Sequence, residues 1–133
     1  MKKNGIINAE LAALLAGFGH TDKLVICDCG LPIPEDATCV DLALVQGIPS
    51  FIDVLKAIEN EMVFEKAYLS KDIQEKNPQI LAKTREIIPD NVDFSFLAHE
   101  DFKARTREEG VIFIRTGEAS YFANILLVGG VAF

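Results

Sequence analysis

Three cysteines, two histidines and no apolar run of membrane-crossing length leave this 133-residue chain few kinds of chemistry. Cys27, Cys29 and Cys39 are odd in number. A C-x-C pair with one distant cysteine and no second pair is poor zinc spacing. It is also a poor disulfide framework, because Cys27 and Cys29, two apart on an expected strand, face the same way. A reducing compartment follows. No glycine-rich turn joins a strand to a helix. Gly17-Phe18-Gly19 comes after a helical pattern and before a strand, the wrong context for cradling phosphates. Basic residues number 13 against 20 acidic ones, a net charge of −7, which argues against nucleic acid or an anionic membrane as partner. The segment Met1-Lys2-Lys3-Asn4-Gly5-Ile6-Ile7 has lysines but no apolar stretch of signal length. Nothing approaches the ~20 apolar residues of a membrane span. The expected location is the cytoplasm, with no membrane insertion.

What is present is a globular composition, 50% hydrophobic and 25% charged. The length fits one domain, residues 1–133, with one real core. Asn8 reads as a helix N-cap with Glu10 in the first turn, and Leu11, Leu14, Leu15 and Phe18 follow helical spacing until Gly17 or Gly19 stops the helix. Leu24 to Cys27 is a short continuous apolar run, as in a strand covered on both faces. Val40 to Leu44 is a second strand or an extended segment. Pro49-Ser50 opens a helix, with Ser50 and Asp53 resembling a capping box and Phe51, Val54, Leu55 and Ile58 forming its buried stripe. Val63 to Leu69 reads as a strand. Asn77-Pro78 starts a helix that runs to about Ile88. Val92, Phe94 and Phe96 alternate with polar residues, the mark of a half-buried strand. A short helix is expected from Glu100 to Arg107, then strands at Val111–Ile114 and Ile125–Val128. The last two flank a polar turn region, residues 115–124. Strands alternating with helices predict a three-layer α/β/α domain with a mostly parallel, mixed sheet. The apolar C-terminus is expected to be tied down, in the core or against a neighbouring subunit.

In such sheets ligands bind outside the carboxyl ends of the strands, which is where Asp28 falls. Asp28 would accept from ligand hydroxyls or pair with a histidine; alternatively it caps its own turn. The loop Cys29 to Pro34, with one glycine and two prolines, can wall a small pocket. His20 and His99 each sit at an element end. Either could move protons near neutral pH, or be structural. A thiol nucleophile at Cys27 or Cys29 has no base spaced to identify it. The run from Lys103 to Glu109 reads as a solvated helix face.

Stretches spread over nearly the whole chain resemble the D-ribose pyranase family of the ribose-uptake operon type, with the L-fucose mutarotases as cousins. They include Gly19-His20-Thr21-Asp22, Cys27-Asp28, Gly30-Leu31-Pro32-Ile33-Pro34, Asp41-Leu42-Ala43-Leu44 and Gln46-Gly47-Ile48-Pro49-Ser50-Phe51. Asn77-Pro78, His99-Glu100-Asp101-Phe102-Lys103, Arg115-Thr116-Gly117-Glu118 and Ala123-Asn124-Ile125 continue the series. The resemblance implies an isomerase of carbohydrate metabolism and ribose catabolism. Such an enzyme interconverts the pyranose and furanose forms of D-ribose, and their anomers, without metal or organic cofactor. It implies His20 as the proton donor. Its monosaccharide contacts fall on Asp28, His99 and Phe122-Ala123-Asn124. It further implies a homo-oligomer, a pentamer or a homodecamer of two stacked rings, with the site at a subunit boundary. Opening a cyclic sugar needs an acid at the ring oxygen and a base at the anomeric hydroxyl; His99, Asp28 and a water are all open as the base. Two departures stand out. The family usually carries Tyr where this chain has Phe122, and Pro where it has Tyr121. Phe122 keeps the ring and lacks the hydroxyl, so sugar preference is the property most exposed to change. A mutarotase for fucose or another sugar, and a sugar-binding accessory of ribose uptake, are the alternatives.

Overall fold

The computed structural model describes residues Met1–Phe133. Six strands form one sheet in the order β2-β5-β1-β6-β3-β4. They are β1 (Lys23–Cys27), β2 (Cys39–Asp41), β3 (Phe64–Ser70), β4 (Asp93–Leu97), β5 (Ile112–Arg115) and β6 (Ile125–Gly129). The helices are α1 (Ala9–Ala16), α2 (Phe51–Glu59), α3 (Ile73–Lys76), α4 (Pro78–Ile87) and α5 (His99–Thr106). The β1–β5, β2–β5 and β3–β4 pairs are parallel. β6 runs antiparallel to both its neighbours, β1 and β3. The sheet is therefore mixed, as expected. One consequence matters for function: the start of β6 lies on the same edge as the carboxyl ends of the other five strands.

Period-two alternation sorts the sheet residues between two cores. Leu24 and Ile26 of β1, with Ile125 and Leu127 of β6, face a large core packed by α1, α2 and α4. Val25, Cys27, Leu126 and Val128 face a smaller core closed by Phe102 of α5, Val111 and Leu31. These strands are buried on both sides, which is why their sequence is continuously apolar.

The expected caps form. The Asn8 side chain accepts from the Leu11 amide at 2.9 Å, and Ser50 Oγ accepts from the Asp53 amide at 3.1 Å. The Asp53 carboxylate accepts from the Ser50 hydroxyl at 2.7 Å, a variation on the reciprocal box. Asn77 starts α4 with its side-chain oxygen on the Ile80 amide and Pro78 in the first turn.

Several expectations are corrected. α3 is an extra single turn before α4. Helices do not alternate with strands throughout: β1 reaches β2, and β5 reaches β6, through loops alone. β2 is three residues long and ends at Asp41. β4 does not alternate cleanly. It is an edge strand whose Phe94, Ser95, Phe96 and Leu97 are all half-buried. The guanidinium of Arg85, in the last turn of α4, lies over both phenylalanine rings, 4.8 and 5.4 Å from their centroids. Cys29 lies beyond the end of β1 and does not share its geometry with buried Cys27. The C-terminus is not in the core of this chain, since Val131 and Phe133 are exposed. No helix is long and apolar enough to cross a membrane.

Candidate functional site

A cavity of about 410 Å³ opens at the carboxyl edge of the sheet. It lies within the usual range for small-ligand pockets, roughly 300–1,000 Å³. Asp28, the Cys29 to Pro32 loop, Gln46, His99, residues 118 to 122 and Asn124 line it. Asp28, His99, Phe122 and Asn124 are thus brought together from three parts of the chain. Ala123 is fully buried and does not line the cavity. A larger depression, about 690 Å³, lies beside the N-terminal segment. Its one carboxylate, Glu61, accepts from the Ile6 amide, and the Lys2 ammonium beside it donates to the Ile6 carbonyl.

Asp28 caps its own turn and also lines the cavity. Its Oδ1 accepts from the Gly30 amide at 2.9 Å, the turn-capping contact. Its Oδ2 accepts from Asn124 Nδ2 at 2.8 Å, while Asn124 Oδ1 accepts from the Asp28 amide at 2.8 Å. This two-way clamp fixes the carboxylate at the cavity wall. Asn124 is 3% exposed, so its amide has no other use in the chain than this clamp and the cavity.

The far wall is equally determined. Phe122 holds a left-handed backbone, φ 55°, and its carbonyl accepts from the Asn124 amide at 2.8 Å. A bulky residue at positive φ stores strain of order 1–3 kcal/mol, and such outliers gather at functional sites. The Phe122 ring meets His99 edge-on, centroids 5.0 Å apart. His99 opens α5, and its Nδ1 is buried with no hydrogen-bond partner in the protein. A buried polar atom left unpaired is costly, and no group of the chain offsets that cost at His99. Asn77 donates to Ser120 Oγ and to the Tyr121 carbonyl, both at 2.9 Å, tying the same loop to the start of α4.

Other supports were not read from sequence. Glu118 Oε1 accepts from Ser120 Oγ at 2.8 Å, and Oε2 accepts from the Phe51 amide at 3.2 Å, at the positive end of α2. Arg115 donates to both Asp41 oxygens and to the Cys29 carbonyl, pinning the pocket loop. The Asp41 carboxylate beside it raises the Arg115 guanidinium above its usual range. Gly117 allows the segment Val45 to Ile48 to press on the β5–β6 loop. A Cβ there would lie 2.3 Å from the Ile48 carbonyl oxygen. That contact brings Gln46 to the cavity. The sequence signals for Glu118 and Arg115 were their place in the polar region at a strand end and the family-like stretch Arg115 to Glu118, and neither signal specified these contacts.

His20 is elsewhere. It precedes β1, whereas Asp28 follows it, and strand rise alone separates the two ends by on the order of 13 Å. Its side chain is 51% exposed, and Nε2 sits 3.0 Å from Glu65 Oε2 at the start of β3. The one chain therefore does not gather all the expected residues into one cavity. The thiols contribute little. Burial, with Asp28 next in weight, pushes the Cys27 thiol up, which suppresses the thiolate a nucleophile needs. No group of three or more His, Cys, Asp and Glu side chains is placed to hold a metal ion.

The model of the RbsD / FucU transport protein family matches residues 1–132. A D-ribose pyranase of Geobacillus thermodenitrificans is 49% identical over all of this chain and 99% of its own length. The structure of Bacillus subtilis RbsD complexed with D-ribose superposes with a TM-score of 0.92 at 39% identity, each chain fully covered. The fucose mutarotase of Streptococcus pneumoniae in complex with L-fucose gives 0.80 at 25% identity, covering 96% of this chain and 95% of that one.

Proposed function

This chain belongs to the RbsD / FucU transport protein family, and from that premise we propose that it is a D-ribose pyranase. It interconverts the pyranose and furanose forms of D-ribose by opening and reclosing the ring. Ribose is preferred over fucose as substrate because the ribose-bound relative is nearer in both sequence and backbone than the fucose-bound one.

The observation that carries the reading is the convergence of Asp28, His99 and Asn124 on one cavity whose polar atoms are fixed but not all satisfied. Ring opening takes the proton from the anomeric hydroxyl and places one on the ring oxygen, as the bond between anomeric carbon and ring oxygen breaks. The open aldehyde then recloses through a different hydroxyl, returning the protons. The steps move protons only, and side chains with water suffice. Asp28 and Asn124 hold hydroxyls, and Phe122 offers a flat apolar face. His99 or Asp28 takes the anomeric proton, directly or through water. His20 donates to the ring oxygen, a role typically worth ~10²–10⁴ in rate.

Because His20 sits at the opposite edge of the sheet, it reaches a sugar at Asp28 only from a neighbouring copy of the chain. We take the working form to be a ring of five, or two stacked rings, with the site at the subunit boundary. Exposed Leu44, Val45, Ile48, Val131 and Phe133 supply apolar surface for such contacts. Three free cysteines suit a cytoplasmic setting. Exchange NMR of D-ribose with catalytic amounts of protein tests the activity. Faster exchange between β-pyranose and β-furanose signals is expected. Binding without exchange would leave a sugar-binding role, and exchange on L-fucose but not on ribose would reassign the substrate.

A further inference from the structure

The His20–Glu65 contact joins residues 45 apart in sequence and is not used by the cavity. The fold goes to some length to present it. Thr21, immediately after His20, holds φ 71°, a costly conformation for a β-branched residue. It is kept there by the Thr21 amide donating to the Gly129 carbonyl at 3.0 Å. Gly129 in turn has no room for a side chain, since a Cβ would lie 2.4 Å from the Gly19 carbonyl oxygen. Asp22 Oδ2 closes the turn by accepting from the Gly19 amide at 2.8 Å. The backbone on both sides of His20 is thus fixed from β6 and from its own turn. Glu65, 38% exposed and carried by β3, then fixes the ring. A surface ion pair adds little to stability. A left-handed threonine beside an imidazole held by a carboxylate is an arrangement that function explains better than folding does.

We infer that Glu65 is the positioning residue for His20, accepting from Nε2–H so that Nδ1 is the nitrogen presented to the sugar. The inference rests on His20 being the proton donor, as proposed above. With Nε2 engaged, a proton delivered to the ring oxygen leaves from Nδ1. A carboxylate on the far nitrogen fixes which nitrogen faces the sugar and holds the ring in one orientation. The charged groups around this edge besides Glu65 are Asp22, Lys23, Lys66, Arg105 and Glu108. Lys23 is paired with Glu108, and the Arg105 guanidinium stacks over the Tyr68 ring at 4.6 Å, so neither is engaged with the Glu65 carboxylate.

The test compares Glu65→Ala, Glu65→Gln and His20→Ala by ribose exchange kinetics, with circular dichroism and sedimentation run on each. Expected is a fall in kcat of roughly tenfold or more for Glu65→Ala, with KM within about twofold and assembled mass unchanged. Glu65→Gln, whose side-chain carbonyl can still accept from Nε2–H, should recover part of that loss. Wild-type kcat in both Glu65 variants, with His20→Ala inactive, overturns the positioning role and leaves His20 as the acid. A raised KM or an altered mass at unchanged kcat also overturns it. His20→Ala retaining the wild-type rate overturns both assignments, a result the other outcomes do not resemble.

Discussion

The two edges of the sheet are built differently. At the carboxyl edge, Asp28 and Asn124 clamp each other, and a second series of hydrogen bonds joins Thr116, Glu118, Ser120 and Asn77, so this wall is held within one copy of the chain. At the opposite edge, His20 and Glu65 stand half in solvent with one bond between them. Yet both edges carry a non-glycine residue in the left-handed region, Phe122 at one and Thr21 at the other. Strain marks both places, but only one has walls. In the ring assembly proposed above, a complete site would be obtained by docking the unwalled edge of one copy against the walled edge of the next. On that proposal the single chain holds two halves of one chemistry, at opposite edges of the sheet.

Breaking the open edge should have the largest effect on rate and the least on folding. His20→Ala is expected to lower ribose exchange by ~10²–10⁴ while the melting temperature stays nearly unchanged, since the side chain is half-exposed and makes one contact. Exchange NMR beside a thermal melt checks both. Breaking the walled edge should cost stability as well as rate. Asn124→Ala strands the Asp28 amide and frees its carboxylate, with an expected loss of about 1–3 kcal/mol on denaturant unfolding and impaired turnover. The comparison sharpens if the two variants separate in this way, activity alone against activity with stability. The smallest effect is expected from Phe122→Tyr, which adds a hydroxyl to a ring already seated against His99. One added neutral hydrogen bond, about 0.5–1.5 kcal/mol, corresponds to a KM for ribose lower by roughly two- to tenfold.

Much of this was legible in the sequence, for identifiable reasons. The caps at Asn8, Ser50 and Asn77 were readable because a short polar side chain before an apolar period has few other uses. Asp28 was readable because a polar residue ending a continuous apolar strand lies on the ligand-binding edge. The exposed C-terminus and the blurred pattern of β4 were not readable. The C-terminus lies outside this chain's own core, which leaves the expected contact with a neighbouring subunit, and β4 is blurred by the guanidinium beside it. Glu118 and Arg115 were hidden for a related reason. Their roles come from backbone groups of Phe51 and Cys29, which no side-chain pattern reports. The family resemblance pointed to His20 and Asp28 together, although the expected strand Leu24 to Cys27 already lay between them.

Mixing two inactive variants tests the central claim most directly. His20→Ala and Asp28→Ala proteins would be prepared separately, dissociated, combined and reassembled, and ribose exchange measured against each alone. If the site joins His20 of one copy to Asp28 of another, mixed assemblies contain some intact pairs, and activity should return to a sizeable fraction of wild type. If both residues act within the same copy, no pairing in the mixture restores a site, and activity staying at the level of the separate variants would contradict the account.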